Sequence, residues 1–408
     1  MSKLPTKLIS ASCVALAAMS SSNLMADAIA DAITGGKAYG DLRLRYETVD
    51  QDTDAVDEAE ALTLRTMIGY TTGSVEGFSA TIEVEDSRIV AGGDAYSVPP
   101  TGFNTGEYSV IADPETTELD QGFIQYKNGI VTAKFGRQVL TYDGHRFVGH
   151  VGWRQDRQTF DGLTLAVTPT KELAINYAYI TQRNRIFAEA ADQDSKDHFI
   201  NVAYTTPVGT LVGYSYMLEN DFTGNDATLD TYGASFTGSA GGDVKFLYAA
   251  EFATQTFESG STEYDADYMM LEGGVAVSGI TVKLGYEVLG SDDGMYGFGT
   301  PLATLHKFNG WADMFIVPTE PSNSPDGGLV DTYLSIGGSL AGGSWAVVYH
   351  DFSADDDSTG PDAYGDEIDL VYSKKFGIYN AGIKYSAYSA DEYAVDTDKL
   401  WLWVGLSF

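Results

Sequence analysis

From Lys37 to the C-terminus the chain alternates between apolar and polar residues with a period of two. Ile280, Val282, Leu284, Tyr286 and Val288 share one parity, while Thr281, Lys283, Gly285 and Glu287 share the other. This spacing puts the first set on one face of a strand and the second on the opposite face. Likewise Leu42, Leu44 and Tyr46 oppose Asp41, Arg43, Arg45 and Glu47, and Phe78, Ala80, Ile82 and Val84 oppose Ser79, Thr81, Glu83 and Glu85. Val244, Phe246 and Tyr248 oppose Lys245, Leu247 and Ala249, and Ile383 and Tyr385 oppose Lys384 and Ser386. About eighteen runs of about ten or eleven residues follow from this pattern. They fall at 37–47, 61–72, 77–87, 119–127, 130–139, 157–168, 171–182, 197–206 and 208–219, then 229–238, 242–254, 266–277, 279–289, 329–339, 343–353, 365–374, 377–388 and 398–408. Strands of soluble domains usually have about five or six residues, whereas about ten are needed for a tilted strand to cross an outer membrane.

The links sort by parity. After even-numbered runs they are short and turn-like, as at Asn128-Gly129, Pro207, Ser278 and Ala341-Gly342. After odd-numbered runs they are expected to be long and mostly acidic, as at 48–60, 88–118, 140–156, 220–228, 290–328 and 354–364. Short turns at one end and long loops at the other are the plan of an outer-membrane barrel, and a soluble sandwich has no reason to adopt it. Closing the sheet satisfies every strand's backbone hydrogen bonds in lipid. Leu400, Leu402, Val404, Leu406 and Phe408 alternate to the last residue. In outer-membrane barrels such a terminal strand resembles the signal read by the barrel-assembly machinery. Tyr46, Tyr70, Tyr177, Tyr204, Tyr286 and Tyr385 take the outward parity near run ends and suit interfacial aromatic girdles. The fold class is therefore all-β: a transmembrane antiparallel barrel of about eighteen strands, in contact with outer-membrane lipid and lipopolysaccharide.

The N-terminus has a different pattern. Met1–Lys7 carries two lysines, Leu8–Met19 is apolar, and the next residues are small and polar, ending in Ala26-Asp27-Ala28. This is the layout of a cleaved secretory signal, too short to span a bilayer as a helix. Cys13, the only cysteine, lies too close to Lys7 for a lipid-attachment signal. Residues 1–26 are read as the signal, 27–36 as a short periplasmic segment, and 37–408 as the barrel in the outer membrane of a Gram-negative bacterium. Composition adds exclusions. The 408 residues carry 24 Lys and Arg against 58 Asp and Glu, a net charge of −34, which argues against nucleic acid as a partner. A mildly polar average is expected when half of every crossing strand faces a wet lumen.

Three stretches resemble the alginate-export porin family. They are Gly35–Glu47 at the start of the first strand; Gly136-Arg137-Gln138 with Gly152–Gly162; and Leu302–Asp313 with Gly328–Tyr333 after it. The resemblance implies an eighteen-stranded channel, with an arginine-lined pore that passes an anionic polysaccharide in the founding member. Alginate as the cargo does not follow from it.

All ten arginines precede Ile186. Arg43, Arg45 and Arg65 take the polar parity and are expected to point into the lumen. Arg154 and Arg157 sit in or beside the 140–156 loop, and Arg137 falls on an apolar parity that a bulge at Gly136 or a place at the loop-side rim would explain. A guanidinium stays charged and binds carboxylates bidentately, so these residues are candidates for favouring anionic solutes. Alternatively they brace the lumen wall by pairing with Asp41, Glu47, Glu83, Glu85, Asp156 and Asp161. The 290–328 loop holds His306, Lys307, Phe308 and Trp311; it either narrows the barrel, with Trp311 stacking on sugar and Lys307 meeting a carboxylate, or packs as a plug.

Other chemistry is weakly signalled. No nucleophile elbow, phosphate loop or His-Glu-x-x-His occurs, and His145 and His150 are poorly spaced for a metal. Asp50–Asp54 starts like a calcium loop but has Ala55 where Gly is required. No metal site or cofactor is expected beyond divalent cations held loosely by acidic loops such as Asp355–Asp357. The sequence reading is an outer-membrane porin for small hydrophilic solutes, anionic ones or oligosaccharides included, and not an enzyme. The alternative is a barrel-anchored outer-membrane enzyme or surface adhesion protein.

Overall fold

The computed structural model describes residues 23–220, 227–316 and 322–408. Eighteen strands, each hydrogen-bonded antiparallel to its neighbours in sequence, close on themselves as β18 pairs with β1. They are β1 (Lys37–Gln51), β2 (Ala59–Thr71), β3 (Phe78–Ala95), β4 (Thr116–Asn128), β5 (Val131–Gln138) and β6 (Thr159–Val167). Next come β7 (Leu173–Asn184), β8 (Gln193–Thr206), β9 (Gly209–Asn220), β10 (Ala227–Gly241), β11 (Val244–Ser259) and β12 (Thr262–Val277). The last are β13 (Ile280–Leu289), β14 (Leu329–Leu340), β15 (Gly343–Ser353), β16 (Ala363–Phe376), β17 (Tyr379–Ala390) and β18 (Thr397–Ser407). At the seam Leu42 faces Leu406 and Leu44 faces Val404; Gly40 and Phe408 exchange two backbone hydrogen bonds at 3.1 and 3.0 Å. Gly40 is required there, because the Phe408 ring occupies the space of a Cβ.

Every predicted run is a strand, but lengths range from the 8 residues of β5 to the 18 of β3. Several strands continue outward past the crossing, so Asp94, Glu258, Glu263 and Asp265, expected in loops, lie on strands. One link departs from the predicted sorting. β11 and β12 join through Gly260-Ser261 alone, because the two strands stay paired up to Ser259 and Thr262. The other outer links are longer, with 96–115, 139–158 and 290–328 the most extended. Register shifts at Ala61/Thr63, Glu83/Val84, Asp161/Gly162, Ile180/Gln182 and Phe352/Ser353 bend strands beside these loops.

The outward parity is exposed and apolar, as at Ile68, Ile82, Phe246, Leu284 and Leu402, and this band faces lipid. The inward parity is polar. The apolar core lies inside the barrel, where loops fold back on the wall. Val98 and Ile111 pack on Val49, Ala59 and Ala61, while Phe147, Phe298 and Phe315 pack with Tyr214, Tyr268 and Phe352. Residues 1–22, where most of the expected export signal falls, lie outside the described residues. Asn23–Thr34 forms a helix, α1, that spans the expected cleavage positions. Its C-terminal end docks on the β2–β3 turn through Gly73 N–H to Ala32 O at 2.8 Å and Tyr70 OH to Ile33 O.

Candidate functional site

Inside the lumen the β3–β4, β5–β6 and β13–β14 loops pack on a wall that is basic on β1 and β2 and mostly acidic from β13 to β16. β1 and β2 supply the basic wall, because cross-strand pairing sets Arg43 opposite Arg65, with Arg45 two residues on. Arg43 donates to Gln155 Oε1 at 3.0 Å, Gly152 O at 3.1 Å and Trp153 O at 2.8 Å, so the wall grips the β5–β6 loop by its carbonyls. Arg45, fully buried, donates to Trp153 O and pairs with Asp113 of the β3–β4 loop and with Glu47 at 3.2 Å. Arg65 binds Asp41 at 2.6 Å, and Asp41 also accepts from Ser407 Oγ at 2.7 Å across the seam. Arg154 returns from the loop to Glu47 at 2.9 Å and to Asp313 at 3.3 Å. Burial acts against the Arg154 charge, but Glu47, Asp113 and Asp313 outweigh it and hold its pKa above the ordinary value.

Beside this wall, Arg157 binds Asp120 at 3.0 Å and pairs with Glu83, and its backbone N–H donates to Glu85 at 3.0 Å. Arg137 forms a fork on Asp161 at 2.8 and 3.1 Å, one residue from the loop-side end of β5. Pairing on both sides of β5 runs through Gly136 without a register shift, so there is no bulge there and Arg137 keeps its outward parity at the loop-side rim; Gly136 itself has a φ of 126°, a conformation that glycine alone adopts readily.

The wall from β13 to β16 is mostly acidic. Glu287 on β13 receives Arg146 at 2.8 Å, Tyr268 OH at 2.6 Å and Asn309 at 2.6 Å. Glu367 on β16 accepts the backbone N–H groups of Trp311 and, at 2.8 Å, Ala312, so it caps the inward turn of the β13–β14 loop. Asp331 accepts from His350 Nδ1 at 2.9 Å. Lys384 on β17 is the buried cation here. Its Nζ sits 3.9 Å from the Trp311 ring, 4.4 Å from Trp153 and 2.9 Å from His306 Nε2. His306 Nδ1 lies 2.9 Å from Asp313, so Nδ1 carries the proton and Nε2 accepts from the ammonium. Burial, with Lys384 adding to it against Asp313, lowers the His306 pKa to about 3. Burial would raise Asp313, but His306, Lys399 and Arg154 hold it below the ordinary carboxylate value.

The two larger loops also bind each other. Gly149 N–H donates to Leu302 O at 2.8 Å, Thr304 N–H to His145 O at 3.0 Å, and Trp153 stacks on His306 with centroids 5.0 Å apart. The constriction is thus one hydrogen-bonded unit made from both loops.

Arg43, Arg45, Arg65, Arg154 and Arg157 are brought together with Asp41, Glu47, Glu83 and Glu85 by the β5–β6 loop, whereas Arg137 and Asp161 pair apart from them at the rim. Arg45 and Arg154 are buried, Arg43 and Arg157 half-buried, and Trp311 is half-covered beside Lys384. Lys307 remains exposed, its ammonium donating to Gly144 O at 2.8 Å. Asp113, Asp120, Glu287, Asp313, Glu367 and Lys384 were not singled out from the sequence. For Glu287, Glu367 and Lys384 the inward parity was visible; Asp113 and Asp313 lie on loops, where no period announces orientation. Among the described residues no group of three or more His, Cys, Asp or Glu is arranged to hold a metal ion.

The comparisons fit this architecture. The sequence profile of the family described as alginate export matches residues 39–290. No curated protein matches. Among solved structures, OccK9 (OpdG) of Pseudomonas aeruginosa superposes with a TM-score of 0.71 at 13% identity, covering 92% of this chain and 100% of that one. OccAB4 of Acinetobacter baumannii gives 0.70 at 13% identity, covering 91% and 98%. Pseudomonas aeruginosa OpdK, solved with vanillate, gives 0.71 at 12% identity, covering 92% and 99%. Together with the closed barrel and its inward loops, the profile match shows that the chain belongs to the alginate export family and is an outer-membrane channel for small solutes.

Proposed function

We propose that this channel passes small hydrophilic solutes passively and favours anionic ones, carboxylates and acidic oligosaccharides among them. The observation that supports anion preference is the state of the cations at the constriction. The arginines hold the loops in place through carboxylates and carbonyls, and Lys307 extends exposed from the inward β13–β14 loop. A braced basic stretch of wall and a separate acidic one also set up a field inside the lumen, which orients polar solutes as they pass. The vanillate bound to OpdK is a carboxylate and agrees in chemistry. The outward apolar band is read as lying in outer-membrane lipid and lipopolysaccharide, with divalent cations held loosely at acidic loops. The β18 strand ending in Phe408 is read as the segment recognised by the barrel-assembly machinery. Purified protein in a planar bilayer is expected to open stable ion-conducting steps that vanillate-sized carboxylates partly block. A protein that opens no steps contradicts the channel, and steps insensitive to carboxylates contradict the preference.

A further inference from the structure

The lysines of the barrel have a distribution that the constriction does not explain. Helix α1, Phe408 and the eight short turns lie at one end of the barrel, which the loop-length asymmetry identifies as periplasmic. Within the four residues nearest that end, the eighteen strands contain neither Asp nor Glu at either parity. The inward parity of the same band holds Lys37, Lys127, Lys134, Lys245, Lys283 and Lys375. Their orientation follows from exposed apolar neighbours on the other face: Phe135 beside Lys134, Val244 and Phe246 around Lys245, Val282 and Leu284 around Lys283, and Phe376 beside Lys375. Lys283 pairs with Glu272 at 2.9 Å and Lys134 lies over the Phe123 ring, but Lys37, Lys127, Lys245 and Lys375 are exposed and make no ion pair among the described residues. The acids near this end lie off the strands: Glu76, Glu172 and Asp243 are in turns, Asp27 and Asp31 are on α1, and Glu172 is already paired with Lys171 at 3.5 Å. The opposite strand ends are acidic, with Asp50, Glu60, Asp94, Asp194, Glu258 and Asp265 among them.

We infer that the periplasmic mouth is an anion-collecting vestibule that captures multivalent organic anions from the periplasmic side. The inference rests on the channel reading above and adds sidedness to it. Charges of one sign on the inner wall of a closed, low-dielectric tube focus their field into the lumen and raise the local concentration of counter-ions. The acidic outer ends repel the same anions, so approach from the two sides differs. The attraction is exposed and screened by salt, with a Debye length of about 10 Å at 0.1 M, so the asymmetry grows as ionic strength falls.

The test uses single channels in a planar bilayer at low salt, with trivalent citrate added to one chamber at a time. Orientation is read by labelling Ser261→Cys, at the outer end, from one side. Citrate is expected to block at several-fold lower concentration from the periplasmic side. The Lys37→Gln/Lys127→Gln/Lys245→Gln/Lys375→Gln variant is expected to lose most of the difference while still opening, the rest being due to the acidic outer ends and to Lys134 and Lys283, and the corresponding four Arg replacements to preserve it. Equal block from both sides in the unaltered protein, or an asymmetry that the Gln variant leaves undiminished, overturns the vestibule and leaves the channel standing. Absence of conducting steps overturns both.

Discussion

Arg43 donates to the backbone carbonyl of Trp153 at 2.8 Å, and no carboxylate lies within ion-pair reach of its guanidinium among the described residues. Its charge is spent on the carbonyls of Gly152, Trp153 and Arg154 and on Gln155, so Arg43 is the clamp that fixes the β5–β6 loop to the barrel wall. Hydrogen bonds from a charged group contribute about 1.5–3 kcal/mol each when buried. Arg43→Ala is expected to release the 152–155 segment, raising single-channel conductance and open-state noise. Arg43→Lys, with one donor centre, is expected to recover the loop only in part. Unchanged conductance in Arg43→Ala would show that the loop holds its place without the clamp.

Arg154 and Glu47 form the second tie, buried on both sides. Removing one member leaves the other with one partner, Arg45 at 3.2 Å for Glu47 and Asp313 at 3.3 Å for Arg154, so the cost falls below the about 3–5 kcal/mol of a fully uncompensated buried charge. Glu47→Ala and Arg154→Ala are each expected to accelerate hydrogen exchange across 150–156. The double variant is expected to exchange more slowly than the sum of the two single effects implies. Strict additivity would mean that the contact carries no coupling.

The constriction is expected to loosen in acid. His306 titrates at about 3 in the folded protein, pushed down first by burial, and His150 at about 4, by burial and then by Arg157. Unfolded histidine protonates near pH 6.5, so the unfolded loops bind protons first as pH falls. The stabilisation from the neutral rings is complete above about pH 6.5 and is lost on descent toward the folded values. Asp313, held below its ordinary value by His306, Lys399 and Arg154 against burial, acts in the same direction at lower pH. Loop exchange and gating frequency are expected to rise between neutral pH and about pH 4 in the unaltered protein, and less in His306→Gln. A pH-independent gating frequency would contradict this.

Gly136 tests the backbone conformation beside Arg137. A Cβ at this position lies 2.2 Å from Gly122 O, and φ is 126°. The backbone conformation alone costs a residue with a side chain about 1–3 kcal/mol. Gly136→Ala is expected to lower the yield of heat-modifiable folded barrel on gels, whereas Gly144→Ala, with open space and an unremarkable φ, is expected to leave it unchanged.

The barrel was legible because the crossing strands obey one period and one burial rule. Each face of Ile280–Leu289 meets a uniform environment, lipid or lumen, and the residues report it. The strand extensions at Asp94 and Glu258 were not legible, since outside the membrane no apolar requirement marks where a strand stops. The same holds for the β11–β12 hairpin, whose polar outer ends read like a loop. Of the constriction, the inward arginines and Glu47, Glu83 and Asp161 were visible by parity and position. Their partners Asp113 and Asp313 were not, because loop contacts more than sixty residues away in sequence leave no local pattern.

The central claim is a water-filled channel whose charged lumen favours anions. The reversal potential of single channels across a salt gradient tests it most directly. A potential displaced toward the equilibrium value of the anion, reduced in Lys307→Gln, is the result this account predicts. A potential displaced toward that of the cation would contradict it, and would assign control of permeation to the acidic outer loops.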